Sequence, residues 1–129
     1  MLIGDALRRS AGNFPDKPAV RDDYGKYFPV GTGYTYRELN ETVNRLGNNL
    51  LALGLNKGDR VAVQTGTGLG HILSLLALAK VGMAIAPIDR TFMSEEIAYQ
   101  IEDSGARAFI TDADIFTKKI EITIKLCRC

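Results

Sequence analysis

The chain has 129 residues, with 16 Lys plus Arg, 15 Asp plus Glu and one His, for a formal net charge of +1; this length suits one domain. At 46% hydrophobic and 24% charged residues, its composition is that of an ordinary globular protein and excludes disordered, collagen-like and disulfide-scaffold classes. The balanced charge supplies neither a basic field for nucleic acid nor a polybasic run for anionic lipid, so no nucleic-acid partner is expected.

Cys127 and Cys129 both lie in the last three residues. They cannot staple the middle of a fold or furnish the ligand set of a structural zinc site, so no metal is assigned. A reducing, cytoplasmic setting is the expectation. The longest apolar stretch, Leu69 to Pro87, is interrupted by His71, Ser74 and Lys80 and is not a membrane span. Met1-Leu2-Ile3-Gly4-Asp5 lacks the basic region, apolar core and cleavage site of a secretory signal, so the mature chain is expected to begin there.

In chain order, Ile3, Ala6, Leu7 and Ala11 share one face of a helix over about Ile3 to Ala11, with Gly12-Asn13 expected to stop it in a left-handed conformation. Ala19-Val20-Arg21 and Tyr34-Thr35-Tyr36 predict a small hairpin, reversed at Asp22-Asp23-Tyr24-Gly25. Thr35 followed by Glu38 is a capping box, so a helix starts near Tyr36. Leu39, Val43, Leu46, Leu50 and Leu53 then draw one apolar stripe, and Gly54 is placed to end the helix with Leu55 packing back.

Apolar runs at about 60–64, 84–89 and 106–111 alternate with helices over about Leu69 to Val81 and Glu95 to Ser104, the latter capped by Ser94. Val61-Ala62-Val63 and Ala84-Ile85-Ala86 read as strands buried on both faces. The fold class is therefore α/β: a parallel-sheet βαβαβ unit preceded by helices and a small hairpin, with right-handed crossovers. Such a unit leaves at least one sheet edge open, a poor arrangement for an isolated protein. Residues 1–112 form this unit. Residues 113–129 are a divergent tail in which Ile120, Ile122, Ile124 and Leu126 alternate with polar residues, read as an edge strand or a disordered end.

Gly66-Thr67-Gly68-Leu69-Gly70, after a strand and before a helix with Asp89 beyond, imitates a dinucleotide-binding turn. The third Gly comes one residue early, with His71 in its place, and glycines also simply permit a tight turn. His71 lacks a nearby Cys, Asp or Glu at relay or ligand spacing and reads as a capping or packing residue rather than a base. Asp22-Asp23, Glu95-Glu96 and Glu102-Asp103 are adjacent pairs whose side chains diverge, and Glu95 and Glu96 are read as first-turn acids. No nucleophile elbow, Walker loop or Cys–His pair occurs.

Several co-linear segments resemble the N-terminal region of AMP-forming acyl-CoA synthetases, within the adenylate-forming superfamily that also holds luciferases and peptide-synthetase adenylation domains. They are Phe14-Pro15-Asp16-Lys17-Pro18-Ala19-Val20, Tyr34-Thr35-Tyr36-Arg37-Glu38-Leu39, Leu53-Gly54-Leu55-Asn56-Lys57-Gly58-Asp59-Arg60-Val61-Ala62-Val63, Leu76-Ala77-Leu78-Ala79-Lys80-Val81-Gly82, Ala86-Pro87-Ile88-Asp89 and the stretch from Glu95 to Ala106. The resemblance covers about Ile3 to Asp112. It implies part of a larger adenylation domain that activates a carboxylic acid with ATP to an acyl adenylate and transfers the acyl group, usually to coenzyme A. ATP, Mg and coenzyme A are then cofactors of the full-length family and none is expected for this stretch.

The family's Ser/Thr/Gly-rich loop ending in Pro-Lys-Gly, its Tyr-Gly-x-Thr-Glu segment, its ribose-binding Asp and its C-terminal catalytic Lys fall further along a longer chain and are absent here. No catalytic, cofactor-binding or metal residue is therefore assigned. Gly66-Thr67-Gly68 and Arg90-Thr91-Phe92 depart from the family pattern, and the stretch from Ile115 to Cys129 does not continue it. The expected partners are the remainder of a synthetase chain or another copy of this one. The rival readings are a non-catalytic self-associating or docking module and, behind it, a dinucleotide-binding Rossmann unit.

Overall fold

The computed structural model describes residues 3–23, 31–66 and 68–112. The tail from 113, with Cys127 and Cys129, and the hairpin turn at Tyr24-Gly25 lie outside them. Helix α1 (Ile3–Asn13) leads to an antiparallel hairpin of β1 (Pro18–Asp22) and β2 (Thr32–Thr35), then α2 (Tyr36–Ala52). Next come β3 (Arg60–Gln64), α3 (Leu69–Lys80), β4 (Ala84–Pro87), α4 (Ser94–Ser104) and β5 (Ala108–Thr111).

The expected capping box forms: Glu38 N donates to Thr35 Oγ1 at 3.2 Å and Thr35 N donates to Glu38 Oε2 at 3.0 Å, satisfying two amides that a helix start leaves unpaired. Leu39, Val43 and Leu50 are buried along α2, but Leu53 is 79% exposed. The helix ends at Ala52, so Leu53 lies beyond the last turn and the stripe no longer predicts its direction. Gly54 turns the chain at φ +92°, and Leu55 returns to the core. Helix α1 runs through Gly12 rather than stopping there. Pro15 sets the end instead, because it disfavours helical geometry at Phe14.

The three parallel strands are ordered β4-β3-β5, with β3 central. The chain steps from β3 to one neighbour and then back across β3 to the other. Right-handed crossovers therefore put α3 and α4 on opposite faces. Val61 and Val63 pack in one cluster with Ala77 and Leu78 of α3 and with Leu39, Val43 and Leu50 of α2. Ala62 packs in another with Ile97 and Ile101 of α4.

Strand β3 is buried on both faces as expected, but β4 is not: Ala84 and Pro87 are exposed, and among the described residues β4 has a strand neighbour on one side only. It also ends at Pro87 rather than at 89, since Asp89 already belongs to a turn. Strand β5 starts at Ala108 rather than 106, because Gly105 (φ +68°) closes α4 and Ala106 N still donates to Ile101 O. The cap of α4 is Met93, not Ser94; Glu96 Oε2 accepts from Met93 N at 2.5 Å, so the first-turn acid supplies the capping group.

Helix packing on the α3 face is close enough to require two glycines. A Cβ on Gly4 would lie 2.8 Å from Lys80 Cα, and one on Gly47 would lie 2.9 Å from Val81 Cγ1.

Candidate functional site at the carboxyl ends of the strands

The loop after β3 leads to one face and the loop after β4 to the other. In open α/β sheets the crevice at such a reversal is where ligands bind. Gln64, Thr65 and Gly66 reach it from β3, Asp89 to Phe92 from β4, and Thr111 and Asp112 from β5, with His71 in the first turn of α3.

Helix α3 has Gly68 at its N-cap and no side-chain cap of its own. Asp112 lies beside it: Gly66 N donates to Asp112 Oδ2 at 2.6 Å, and a Cβ on Gly70 would lie 3.9 Å from Oδ1. The carboxylate thus brings negative charge to the positive end of α3. A dinucleotide-binding turn would put its pyrophosphate there, where a second anion would meet the like charge of Asp112. The glycine turn therefore does not fit a nucleotide phosphate. Among the described residues no group of three His, Cys, Asp or Glu is placed to hold a metal ion.

His71 has the partner its sequence neighbourhood concealed: Nδ1 lies 3.0 Å from Thr65 Oγ1. A hydroxyl does not orient and charge an imidazole as a carboxylate does, so the pair fastens the first turn of α3 and is not a relay. Asp89 is consumed locally. Its Oδ1 accepts from Thr91 Oγ1 at 2.6 Å and Thr91 N at 2.8 Å, and these bonds hold its carboxyl below the usual aspartate range. It builds a turn rather than reaching for a ribose. Glu95 and Glu96 lie in the first turn of α4 as expected, and Asp23 is paired with Arg21 at 2.7 Å.

Gln64 is fully buried, and its Nε2 donates to Asp89 O at 2.8 Å and Phe92 O at 3.3 Å. Two carbonyl partners fix the orientation of the amide. Gln64 thereby ties the end of β3 to the loop after β4. Gln64, Thr65, Thr111 and Asp112 were not singled out by motif or spacing; the available signal was a polar residue ending an apolar strand next to a glycine turn. At the other end of the sheet, α1, the end of α3 and β4 frame a groove of about 880 Å3 containing Arg8, Lys57 and Lys80. Lys80 Nζ donates to Asn40 Oδ1, and burial, reinforced by Arg8, lowers its pKa. No described helix is long and apolar enough to cross a membrane.

The model of the AMP-binding enzyme family matches residues 7–128. Surfactin synthase subunit 1 of Bacillus subtilis is 37% identical over 109 residues, which is 84% of this chain and 3% of that protein. The crotonobetaine/carnitine–CoA ligase of Escherichia coli is 35% identical over 83 residues, 64% of this chain and 16% of the ligase. The N-terminal subdomain of Klebsiella oxytoca NpsA, solved in complex with anthranilyl-AMSN, superposes with a TM-score of 0.76 at 28% identity, covering 87% of this chain and 28% of that one. The chain thus spans a small part of the length of the curated relatives it matches, and its α/β unit has its counterpart in an N-terminal adenylation subdomain. On the match over 7–128 and the shared architecture, the chain belongs to the AMP-binding enzyme family.

Proposed function

We propose that this chain is the N-terminal scaffold portion of an ATP-dependent, AMP-forming carboxylic acid–CoA ligase, with residues 1–112 as its adenylation-domain segment, and that it is inactive alone. The observation that carries the reading is the family match, taken with a strand-end crevice whose glycine turn is occupied by the Asp112 carboxylate. Adenylation is the step implied across the family. Transfer to coenzyme A is the finer half of the proposal, supported by the likeness to a CoA ligase. ATP, Mg, coenzyme A and the carboxylic acid, a fatty acid among the candidates, are assigned to the longer enzyme. No catalytic, cofactor or metal residue is assigned to this chain, and its setting is proposed as cytoplasmic.

The test is acid-dependent ATP–pyrophosphate exchange by the purified chain across a panel of carboxylic acids. No exchange is expected, and exchange above a protein-free control overturns the claim of inactivity. Reading the coding DNA past Cys129 for a loop ending in Pro-Lys-Gly tests the fragment half of the reading.

A second reading, a non-catalytic module that docks on another chain or on its own copy, draws on β4 and β5, each of which has one strand neighbour among the described residues. Exposed Ile3 and Leu53 add to it. A cleanly monomeric chain in sedimentation at micromolar concentration counts against it.

A further inference from the structure

Two buried polar atoms at the crevice have no hydrogen-bond partner among the described residues: Gln64 Oε1 and Thr111 Oγ1. Gln64 and Thr111 are register partners on β3 and β5. The preceding pair on the same face, Ala62 and Phe109, packs in the α4 cluster, and the intervening pair, Val63 and Ile110, packs in the α3 cluster. Alternation therefore places the Gln64 and Thr111 side chains as neighbours on the α4 face of adjacent strands.

Gln64 cannot satisfy Oε1 by an amide flip, because Nε2 is committed to the carbonyls of Asp89 and Phe92. Oε1 only accepts, whereas the Thr111 hydroxyl both donates and accepts. The two oxygens make no hydrogen bond to each other. Strands stand about 4.8 Å apart, a gap that two hydrogen bonds of about 2.8 Å through one small molecule can cross. A buried polar group without a hydrogen bond forfeits its hydration, so both oxygens favour a partner.

We propose that Gln64 Oε1 and Thr111 Oγ1 form a site for one buried water, which donates to Oε1 and exchanges its second hydrogen bond with the Thr111 hydroxyl. The water completes a brace from the Asp89 and Phe92 carbonyls through Gln64 to Thr111, joining the carboxyl ends of all three strands. The brace sets the width of the crevice without holding any reacting group.

The test is a crystal structure of the chain at a resolution that places ordered water, alongside Thr111→Ser and Thr111→Val. The expected result is a water within about 3.2 Å of both oxygens in the parent and in Thr111→Ser, and loss of that water in Thr111→Val with both Gln64 Nε2 bonds intact. A direct bond between Thr111 Oγ1 and Gln64 Oε1, or a dry site in the parent, overturns the proposal, as does a water retained in Thr111→Val. Should Thr111→Val fail to fold, a water NOE to the Gln64 side-chain amide in the parent decides it: a contact supports the site and its absence overturns it.

Discussion

The two faces of the three-stranded sheet are built by different rules. On one, Val61 and Val63 meet α3, and α2 and α1 pack behind it, with helices so close that Gly4 and Gly47 have no room for a Cβ. On the other, Ala62 meets α4, the one helix on that face among the described residues, and the ends of β3 and β5 carry Gln64 and Thr111 in place of apolar residues. The first face holds the fold together by volume; the second spends part of its area on directed hydrogen bonds around the crevice. Stability and site geometry are thus divided between opposite sides of the same strands.

Truncation on each face measures that division. Leu78→Ala opens a cavity in a layer pinned on several sides, so its cost is expected at the upper end of the usual range, about 4–5 kcal/mol; Ile97→Ala lies under one helix that can settle inward, and about 2–3 kcal/mol is expected. Both residues are fully buried, so transfer alone does not separate them. Urea midpoints decide, and equal losses would break the comparison.

The two glycines of α1 sharpen it. Gly4→Ala drives a methyl into the Lys80 backbone, which does not yield as a side chain would, and a loss of about 1–3 kcal/mol is expected. Gly12→Ala meets nothing within 4 Å and should stabilise by about 0.5–1 kcal/mol. Opposite signs in thermal melts support the packing account, and two losses would refute it.

Gln64→Met tests the sparse face. It keeps the volume but leaves the Asp89 and Phe92 carbonyls without the Gln64 amide, at an expected cost of about 1–2 kcal/mol. Amide exchange should speed up in the loop after β4 and stay unchanged in α2. A uniform rise throughout would mean that Gln64 acts only through global stability.

Much of the crowded face was legible in the sequence because volume and periodicity write it: the Thr35–Glu38 box, the α2 stripe and the Val61-Ala62-Val63 run each follow from residue type and spacing. Errors fell where neighbours decide. Leu53 lies past a helix end, β4 reads as buried on both faces yet exposes Ala84 and Pro87, and Ser94 yields the cap to Met93 once Glu96 reaches back. The crevice was least legible: Asp112 lies 46 residues from Gly66 and Gln64 lies 25 from Asp89. Such contacts are created by topology and leave no local pattern. His71 reads from the sequence as a capping or packing residue, and nothing in its neighbourhood points to Thr65 as its partner.

The smallest expected effect concerns the groove beside the crowded face. There Lys80 donates a hydrogen bond to a neutral amide, Asn40, while Arg8 repels its charge and Asp5 partly offsets it. Its folded pKa is lower than its unfolded one, so between the two values the unfolded chain binds more protons and stability rises with pH. Lys80→Met removes that contribution. The stability of the parent relative to Lys80→Met should therefore improve as pH is raised from 7 into the ordinary lysine range. Every other ionisable group is common to both proteins, so the difference between their urea midpoints isolates Lys80. Parallel curves would mean that solvent screens the ammonium in the groove as fully as in the unfolded chain.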